Sequence, residues 1–215
     1  MSSGCKAGPP VCGDELEGDP MNRDSAPCGR RVFAFLFCSL DGYHEGPDGE
    51  LGWAPHDEEF LEWNVRQTRE VGALLLGRRT YEHFAEAWTS SDAVERLPEI
   101  AAFMNAVPKT VVTRSGRVTP WGNTRVIDGS DLNAEVTRLR TESAGDIAVF
   151  GSSALTVTLL EQGLVDELRV LLRPVLLGRG RSLYGGLKEH IDLTPGAVTV
   201  FRSGNVLLRY RPSGR

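Results

Sequence analysis

Short apolar runs alternate with segments of helical periodicity along most of the chain. A run bounded by Gly, Ser or Asp is typical of a buried strand, whereas apolar residues three and four positions apart are typical of an amphipathic helix. Strands that alternate with helices indicate the α/β class, with a largely parallel sheet and an antiparallel C-terminal edge. The pattern predicts strands at 32–38, 73–76, 109–113, 124–127, 147–150 and 168–172, and a closing β-hairpin of 198–202 and 206–210. It predicts helices at about 57–70, 81–88, 92–106, 132–145 and 151–162.

Local signals set the predicted ends of several helices. Acidic residues begin the first helix at Asp57, where the helix dipole favours negative charge. Thr80 and Asp131 stand where the N-caps of the second and fourth helices are expected, because their side-chain oxygens accept hydrogen bonds from N–H groups of the first turn. Pro98 is expected to interrupt the third helix.

The first thirty residues differ from the rest of the chain. They hold five Gly, four Pro, three of the four Cys and no aromatic residue. A segment so poor in large apolar side chains cannot offset the entropy of ordering it, so we expect a flexible tail over 1–30 and one domain over 31–215. Cys5, Cys12 and Cys28 match no zinc-binding pattern. We therefore expect reduced thiols in a cytoplasmic protein without a metal site.

Composition and charge narrow the class of protein. The chain is 40% hydrophobic and 25% charged, with a net charge of −5. No apolar run approaches the ~18–20 residues needed to cross a bilayer. The mild acidity does not fit a nucleic-acid binder that relies on a broad basic surface. A small molecule is the expected partner, rather than a membrane or a nucleic acid.

Three strand-to-helix or strand-end turns carry residues suited to binding phosphate. In an open α/β sheet, ligands bind beyond the carboxyl ends of the strands. Backbone N–H groups at a helix start attract phosphate, and an arginine side chain binds phosphate through paired hydrogen bonds. A dinucleotide with an additional 2′-phosphate suits this combination, although each turn alone also fits an ordinary N-cap or a solvated surface charge. The turns carry Gly77, Arg78 and Thr80, then Arg114, and then Gly151, Ser152 and Ser153.

The usual nucleotide and hydrolase fingerprints are absent from the sequence. It contains no G-x-G-x-x-G, no G-x-x-x-x-G-K-[ST], no H-E-x-x-H and no G-x-S-x-G. These absences disfavour a conventional Rossmann dehydrogenase, a P-loop NTPase, a zinc protease and an α/β-hydrolase.

Several longer motifs together resemble one known family. The chain contains, in order, SLDG at 39–42, LLLGRRTYE at 74–82, Thr113-Arg114, AVFGSSAL at 148–155 and EQGLVDELRVLLRPVLLGRGRSLYGGL at 161–187. From Arg31 to Pro212 it resembles the dihydrofolate-reductase-like family that includes the reductase domain of the bacterial bifunctional riboflavin-biosynthesis deaminase/reductase. The resemblance implies a three-layer fold with an eight-stranded, mostly parallel sheet, an NADPH site along the strand ends, and a homodimer.

The resemblance also implies a role for each phosphate-binding candidate. The loop after the first strand is expected to flank the nicotinamide of NADPH. The implied contacts are Gly77, Arg78 and Thr80 with the cofactor phosphates, Arg114 with the adenosine 2′-phosphate, and Gly151, Ser152 and Ser153 with the pyrophosphate.

The catalytic residue is less closely defined by the motifs. Dihydrofolate reductase has an acidic residue early in its first helix, where this chain has Phe60 or Leu61, so dihydrofolate reduction itself is not expected. Riboflavin-pathway reductases have the Asp of the Ser-x-Asp-Gly stretch near the substrate, which makes Asp41 the catalytic candidate; the alternative is a turn residue. Arg179 and Arg181, in the glycine-rich loop after Pro174, are either ligands for a substrate phosphate or solvated charges. Trp53 is the candidate for an aromatic pocket wall.

The function that the resemblance implies is an NADPH-dependent reduction of a small heterocyclic or carbonyl substrate. The best-known activity of this kind is the reduction of 5-amino-6-(5-phosphoribosylamino)uracil in riboflavin biosynthesis. The alternative is a non-catalytic nucleotide-binding or assembly protein that retains the fold. A substrate-dependent oxidation of NADPH would separate the two.

Overall fold

The structure is a computed structural model that describes residues 30–51, 53 and 57–213. The predicted flexible tail lies outside the described residues except for Arg30. The strands are β1 Val32–Ser39, β2 Tyr43–Glu45, β3 Val71–Gly77, β4 Lys109–Val112, β5 Thr124–Ile127, β6 Asp146–Phe150, β7 Glu167–Arg173, β8 Arg181–Ser182, β9 Leu193–Val200 and β10 Val206–Pro212. The helices are α1 Glu58–Thr68, α2 Arg78–Thr89, α3 Ser91–Arg96, α4 Pro98–Ala106, α5 Leu132–Glu142 and α6 Ser153–Glu161.

Eight strands form one sheet in the order β5-β4-β3-β6-β1-β7-β10-β9. The pairs from β5 to β7 are parallel, and β10 pairs antiparallel with both β7 and β9. This arrangement confirms the predicted α/β fold with a mostly parallel sheet and an antiparallel C-terminal edge. Among the residues that the structure describes, no helix is long and apolar enough to span a membrane.

The sheet is covered on both faces, which makes the fold three-layered. Alternate residues of β1 point to opposite sides, so Ala34 and Leu36 join one core cluster and Phe33 and Phe35 join the other. The first cluster includes residues of α5 and α6, and the second includes residues of α1, α2 and α4. Burial on both faces explains why β1 is an almost continuous apolar run rather than an alternating one.

Most of the predicted helix ends are confirmed. The Asp57 side chain accepts from the Phe60 N–H at 2.8 Å and caps α1. The Asp131 side chain caps α5 in the same way. The predicted interruption at Pro98 appears as the boundary between α3 and α4.

The predicted N-cap at Thr80 is wrong. Strand β3 leads directly into α2, which begins at Arg78 with Gly77 as its N-cap. Thr80 is therefore already inside the first turn, and its hydroxyl donates to the Gly151 carbonyl at 3.3 Å. The fifth predicted helix, which corresponds to α6, was placed two residues too early at Gly151, since Gly151 has φ +61° and α6 begins at Ser153.

The hydrophobic pattern did not predict two features of the strands. Strand β9 begins five residues before its predicted start, because it pairs with β10 as far as Leu193 opposite Pro212. The short strands β2 and β8 pair with each other as a separate two-stranded sheet. Their Cα atoms stay close because Gly180 has no side chain: a Cβ there would lie 2.2 Å from the Glu45 carbonyl oxygen.

Candidate functional site

Two of the three predicted turns meet where β3 and β6 end. These strands are parallel neighbours, so their carboxyl ends lie side by side at one edge of the sheet. The Ser152 hydroxyl accepts from the Gly77 N–H at 3.0 Å, and the Thr80 hydroxyl donates to the Gly151 carbonyl at 3.3 Å. The turn before α2 and the turn before α6 are thus joined by two direct hydrogen bonds.

Gly151 allows this close approach. Its φ of +61° lies in the left-handed region, which side chains with a Cβ rarely adopt. A Cβ at this position would also lie 3.3 Å from Thr80 Cγ2. The first N–H groups of α2 and α6 lack intrahelical acceptors and carry the positive ends of the two helix dipoles. The junction of the two turns is therefore suited to an anion.

The two serines of this junction have structural partners. Ser152 Oγ donates to the Phe150 carbonyl at 3.3 Å while accepting from Gly77. Ser153 Oγ donates to the Leu183 carbonyl at 2.7 Å, and both serines are buried. Their hydroxyl groups fix the turn, so an anion bound here would be held mainly by backbone N–H groups and arginine side chains.

A cavity of about 520 Å³ begins at this junction and continues along α2. From Arg78 to Trp88 the helix rises about 15 Å, at 1.5 Å per residue, and both residues line the cavity. Its length is enough for a nicotinamide and a second small ring to lie along the helix. Six of the predicted site residues line it, namely Gly77, Arg78, Thr80, Gly151, Ser152 and Ser153.

Arg114 does not line this cavity but lies at the same edge of the sheet. It follows β4, which pairs in parallel with β3 in a register that sets Val112 opposite Gly77. The Arg114 side chain is exposed in the turn after the strand. The third predicted turn is therefore one strand away from the junction, and its contact with a 2′-phosphate stays a prediction.

Asp41 also lies outside the cavity lining, and its carboxylate is engaged by another loop. It accepts from the Ser39 hydroxyl at 2.6 Å, from the Leu177 N–H at 3.0 Å and from the Gly178 N–H at 2.6 Å. The Ser39 hydrogen bond, followed by the backbone N–H groups, holds the pKa of Asp41 below its ordinary value. Asp41 therefore anchors the loop after β7 as an ionised acceptor. Its predicted catalytic role stays a prediction.

Charged side chains gather at the mouth of the cavity, on β2 and β8. Glu45 and Arg181 are register partners, and their side chains form an ion pair. The same carboxylate lies 3.5 Å from Arg79 Nη1, and only 13% of the Glu45 side chain is exposed. The charge of Arg181, one of the candidates for a substrate phosphate, is thus partly compensated within the protein.

Several cavity residues carry no sequence motif and were missed. His44, next to Glu45, lines the cavity, and burial lowers its pKa, which favours the uncharged imidazole. Asn64 and Thr68 line the opposite wall, one helical turn apart on α1. That spacing of two polar residues on the inner face of a helix is the one signal that could have indicated them. Trp88, and not the predicted Trp53, is the tryptophan in the lining.

The chain is similar to known proteins in sequence and in fold. YyaP of Bacillus subtilis (strain 168), an uncharacterized protein, is 27% identical over 187 residues, which span 86% of this chain and 96% of YyaP. A Shewanella sp. PV-4 protein with a provisional riboflavin-biosynthesis assignment matches with a TM-score of 0.67 and 20% identity, over 86% of this chain and 99% of its own.

A second solved structure extends the comparison to a bifunctional enzyme. It is the diaminohydroxyphosphoribosylaminopyrimidine deaminase/5-amino-6-(5-phosphoribosylamino)uracil reductase of Thermotoga maritima, with a TM-score of 0.63 and 16% identity. The match covers 86% of this chain and 57% of the Thermotoga chain. At these identities both structural matches show the fold.

The family is shown by a match over most of the sequence. The model described as the RibD C-terminal domain matches residues 30–207. That range contains every strand of the large sheet except the end of β10. The chain therefore belongs to the RibD C-terminal domain family.

Proposed function

We propose that the protein is an NADPH-dependent reductase of a small heterocyclic or carbonyl substrate. The observation that carries this proposal is the junction of two helix N-termini at one end of a long cavity. One end of the cavity suits the pyrophosphate of a dinucleotide, and the remaining length suits a nicotinamide beside its acceptor. Membership of a family that includes reductases supports the same reaction class.

The residues of the chain fit the proposed cofactor. The first turns of α2 and α6 would hold the pyrophosphate, with Arg78 beside it and Gly151 allowing close approach. Arg114, one strand further along the edge, would hold the 2′-phosphate. When bound, the nicotinamide supplies a hydride, and the surrounding cavity limits the access of water to it.

Replacement of Arg114 tests the choice between NADPH and NADH. We expect Arg114→Ala to weaken NADPH binding about tenfold or more, because a hydrogen bond between charged groups is lost, while NADH binding stays nearly unchanged. Isothermal titration calorimetry with both nucleotides measures the difference. Arg117→Ala, an exposed arginine in the same turn, is the matched control. An equal loss for both nucleotides would remove the 2′-phosphate role from Arg114.

Replacement of Gly151 tests the junction itself. Gly151→Ala adds a Cβ at a positive φ and close to Thr80, and we expect at least a roughly tenfold loss of nucleotide affinity from the displaced turn. Gly163→Ala is the control, since Gly163 has φ +68° with no atom within 4 Å of an added Cβ. Both variants carry similar backbone strain, so thermal unfolding should shift similarly. Equal nucleotide affinity in the two variants would contradict the proposed site.

Asp41 is proposed to act as a positioning residue for turnover. Its carboxylate holds the N–H groups of Leu177 and Gly178, and its lowered pKa suits an acceptor rather than a proton donor. We expect Asp41→Asn to lower kcat while NADPH affinity stays within about twofold and the pH profile of kcat keeps its shape. Loss of one limb of that profile would instead assign the proton transfer to Asp41.

A homodimer is also proposed, as the family resemblance implies. Edge strand β9 exposes Val198 and Val200, with 60% and 67% of each residue accessible. An unpaired strand edge with exposed apolar side chains is a surface suited to a second copy of the chain. We expect the wild-type chain to sediment as a dimer and a Val198→Glu, Val200→Glu variant as a monomer. A monomeric wild-type chain would overturn the proposal.

A further inference from the structure

Among the residues that the structure describes, no charged side chain lines the inner end of the cavity. Its charged lining residues, Glu45, Arg78, Arg79 and Arg181, belong to the mouth or to the start of α2. A ligand group that reaches the inner end meets aromatic and aliphatic walls with few polar atoms, which suits an uncharged planar ring. The inner end is formed by Asn64 and Thr68 of α1, Phe84 and Trp88 of α2, and Ile100 and Met104 of α4.

The orientation of the Asn64 amide is set by its neighbours. Arg169 Nη1 lies 3.2 Å from Gln67 Oε1, and a guanidinium only donates hydrogen bonds, so the Gln67 atom facing it must be the oxygen. Gln67 Nε2 is then the donor to Asn64 Oδ1, at 3.2 Å. With Oδ1 engaged, Nδ2 is the hydrogen-bond donor that Asn64 can offer to a ligand.

The hydrogen bonds from Arg169 to Gln67 and from Gln67 to Asn64 form a relay, and Arg169, at its start, is fixed by several contacts. Only 2% of its side chain is exposed, and it donates to Glu167 at 2.6 Å and to Glu70 at 3.0 Å. The guanidinium also lies over the Phe33 ring, 3.9 Å from its centroid. A cation held on three sides cannot turn to accommodate the opposite orientation of Gln67. The Asn64 donor is therefore preset before any ligand binds.

The arginines at the mouth of the cavity are compensated by one carboxylate. Glu45 pairs with both Arg79 and Arg181. A substrate phosphate at the mouth would compete with the nearly buried Glu45 for the same arginines. The charge distribution thus disfavours a phosphorylated substrate, in addition to the lack of charge at the inner end.

We infer that Asn64 is a specificity-determining residue that donates from Nδ2 to the carbonyl oxygen of an uncharged planar substrate, such as a quinone. Gln67 acts through Asn64 as a positioning residue. This inference rests on the proposed function, because it names the substrate class of the same cavity. The substrate class differs from the phosphorylated aminouracil that the name of the Thermotoga relative gives as its substrate.

Direct binding of two probes tests the substrate class. The full chain is first titrated with NADP⁺, and the complex is then titrated with menadione, an uncharged quinone, or with uridine 5′-monophosphate, a phosphorylated pyrimidine. We expect menadione to bind at least about tenfold more tightly than the nucleotide. Tighter binding of the nucleotide would overturn the inference. Failure to bind NADP⁺ would overturn the proposed function, whereas NADP⁺ binding without menadione binding overturns only the substrate class.

Replacement of Asn64 tests the donor. Asn64→Asp keeps the side-chain shape and the acceptor for Gln67 but removes the N–H donor. We expect menadione binding to weaken about tenfold or more, with NADP⁺ binding within about twofold of the wild type. Asn133→Asp, on an exposed residue of α5, makes the same charge change elsewhere and should alter neither. Unchanged menadione binding in Asn64→Asp would overturn the role of Asn64.

Replacement of Gln67 tests the relay. Gln67→Glu preserves an oxygen facing Arg169 but cannot donate to Asn64 Oδ1, so the Asn64 amide must turn and present its oxygen to the ligand. We expect menadione binding to fall by a factor similar to that of Asn64→Asp.

A second variant covers the case in which Gln67→Glu does not fold. Gln67→Met removes both hydrogen bonds and should weaken menadione binding less than Asn64→Asp does, because Asn64 is then free to reorient. Full menadione affinity in a folded Gln67→Glu variant, or an equal loss in Gln67→Met, would overturn the relay.

Discussion

The parallel pairing of β3 with β6 is the constraint on which the candidate site depends. It brings the ends of two strands together although their turns are more than seventy residues apart in the sequence. The hydrogen bond from the Gly77 N–H to Ser152 Oγ and the one from the Thr80 hydroxyl to the Gly151 carbonyl hold the two helix starts in one place. Without this pairing, α2 and α6 would each carry an isolated N-terminus, which binds an anion more weakly than two acting together.

The cavity that begins at this junction has one charged end and one uncharged end. Positive groups and helix N-termini lie at one end, where one carboxylate at the mouth partly compensates the arginines. The other end is formed by uncharged residues of three helices on one face of the sheet. The division has a physical origin: α2 leaves the junction with its polar first turn and then packs its apolar face against α4 and the sheet. An anionic cofactor and an uncharged acceptor are the ligands that such a gradient accommodates best.

Sequence reasoning found the parts of the site that depend on short-range chemistry. Gly151 and the turns before α2 and α6 were recognisable because strand, turn and helix signals follow one another directly, although both helix starts were predicted two or three residues away from Arg78 and Ser153. Glu45 and Gln67 were not, since their partners Arg181 and Arg169 are distant in the chain. Asn64 was not recognised either, because only the folded chain places it in the cavity wall. The serine hydroxyls were predicted as phosphate donors, yet their partners Gly77, Phe150 and Leu183 became evident only in the folded chain.

Apolar periodicity and local signals were enough to establish the class of fold, the alternation of elements, the start of the first helix at Asp57 and the cap at Asp131, because these depend on interactions within a few residues. These signals did not reveal the pairing of β2 with β8, which are far apart in the chain, or the full length of β9, which depends on its pairing with β10 and not on an apolar pattern of its own. The tertiary structure alone decided that the Asn64 amide has a fixed orientation. That orientation depends on a buried arginine whose charge is balanced by Glu167 and Glu70, and no local pattern records such a balance.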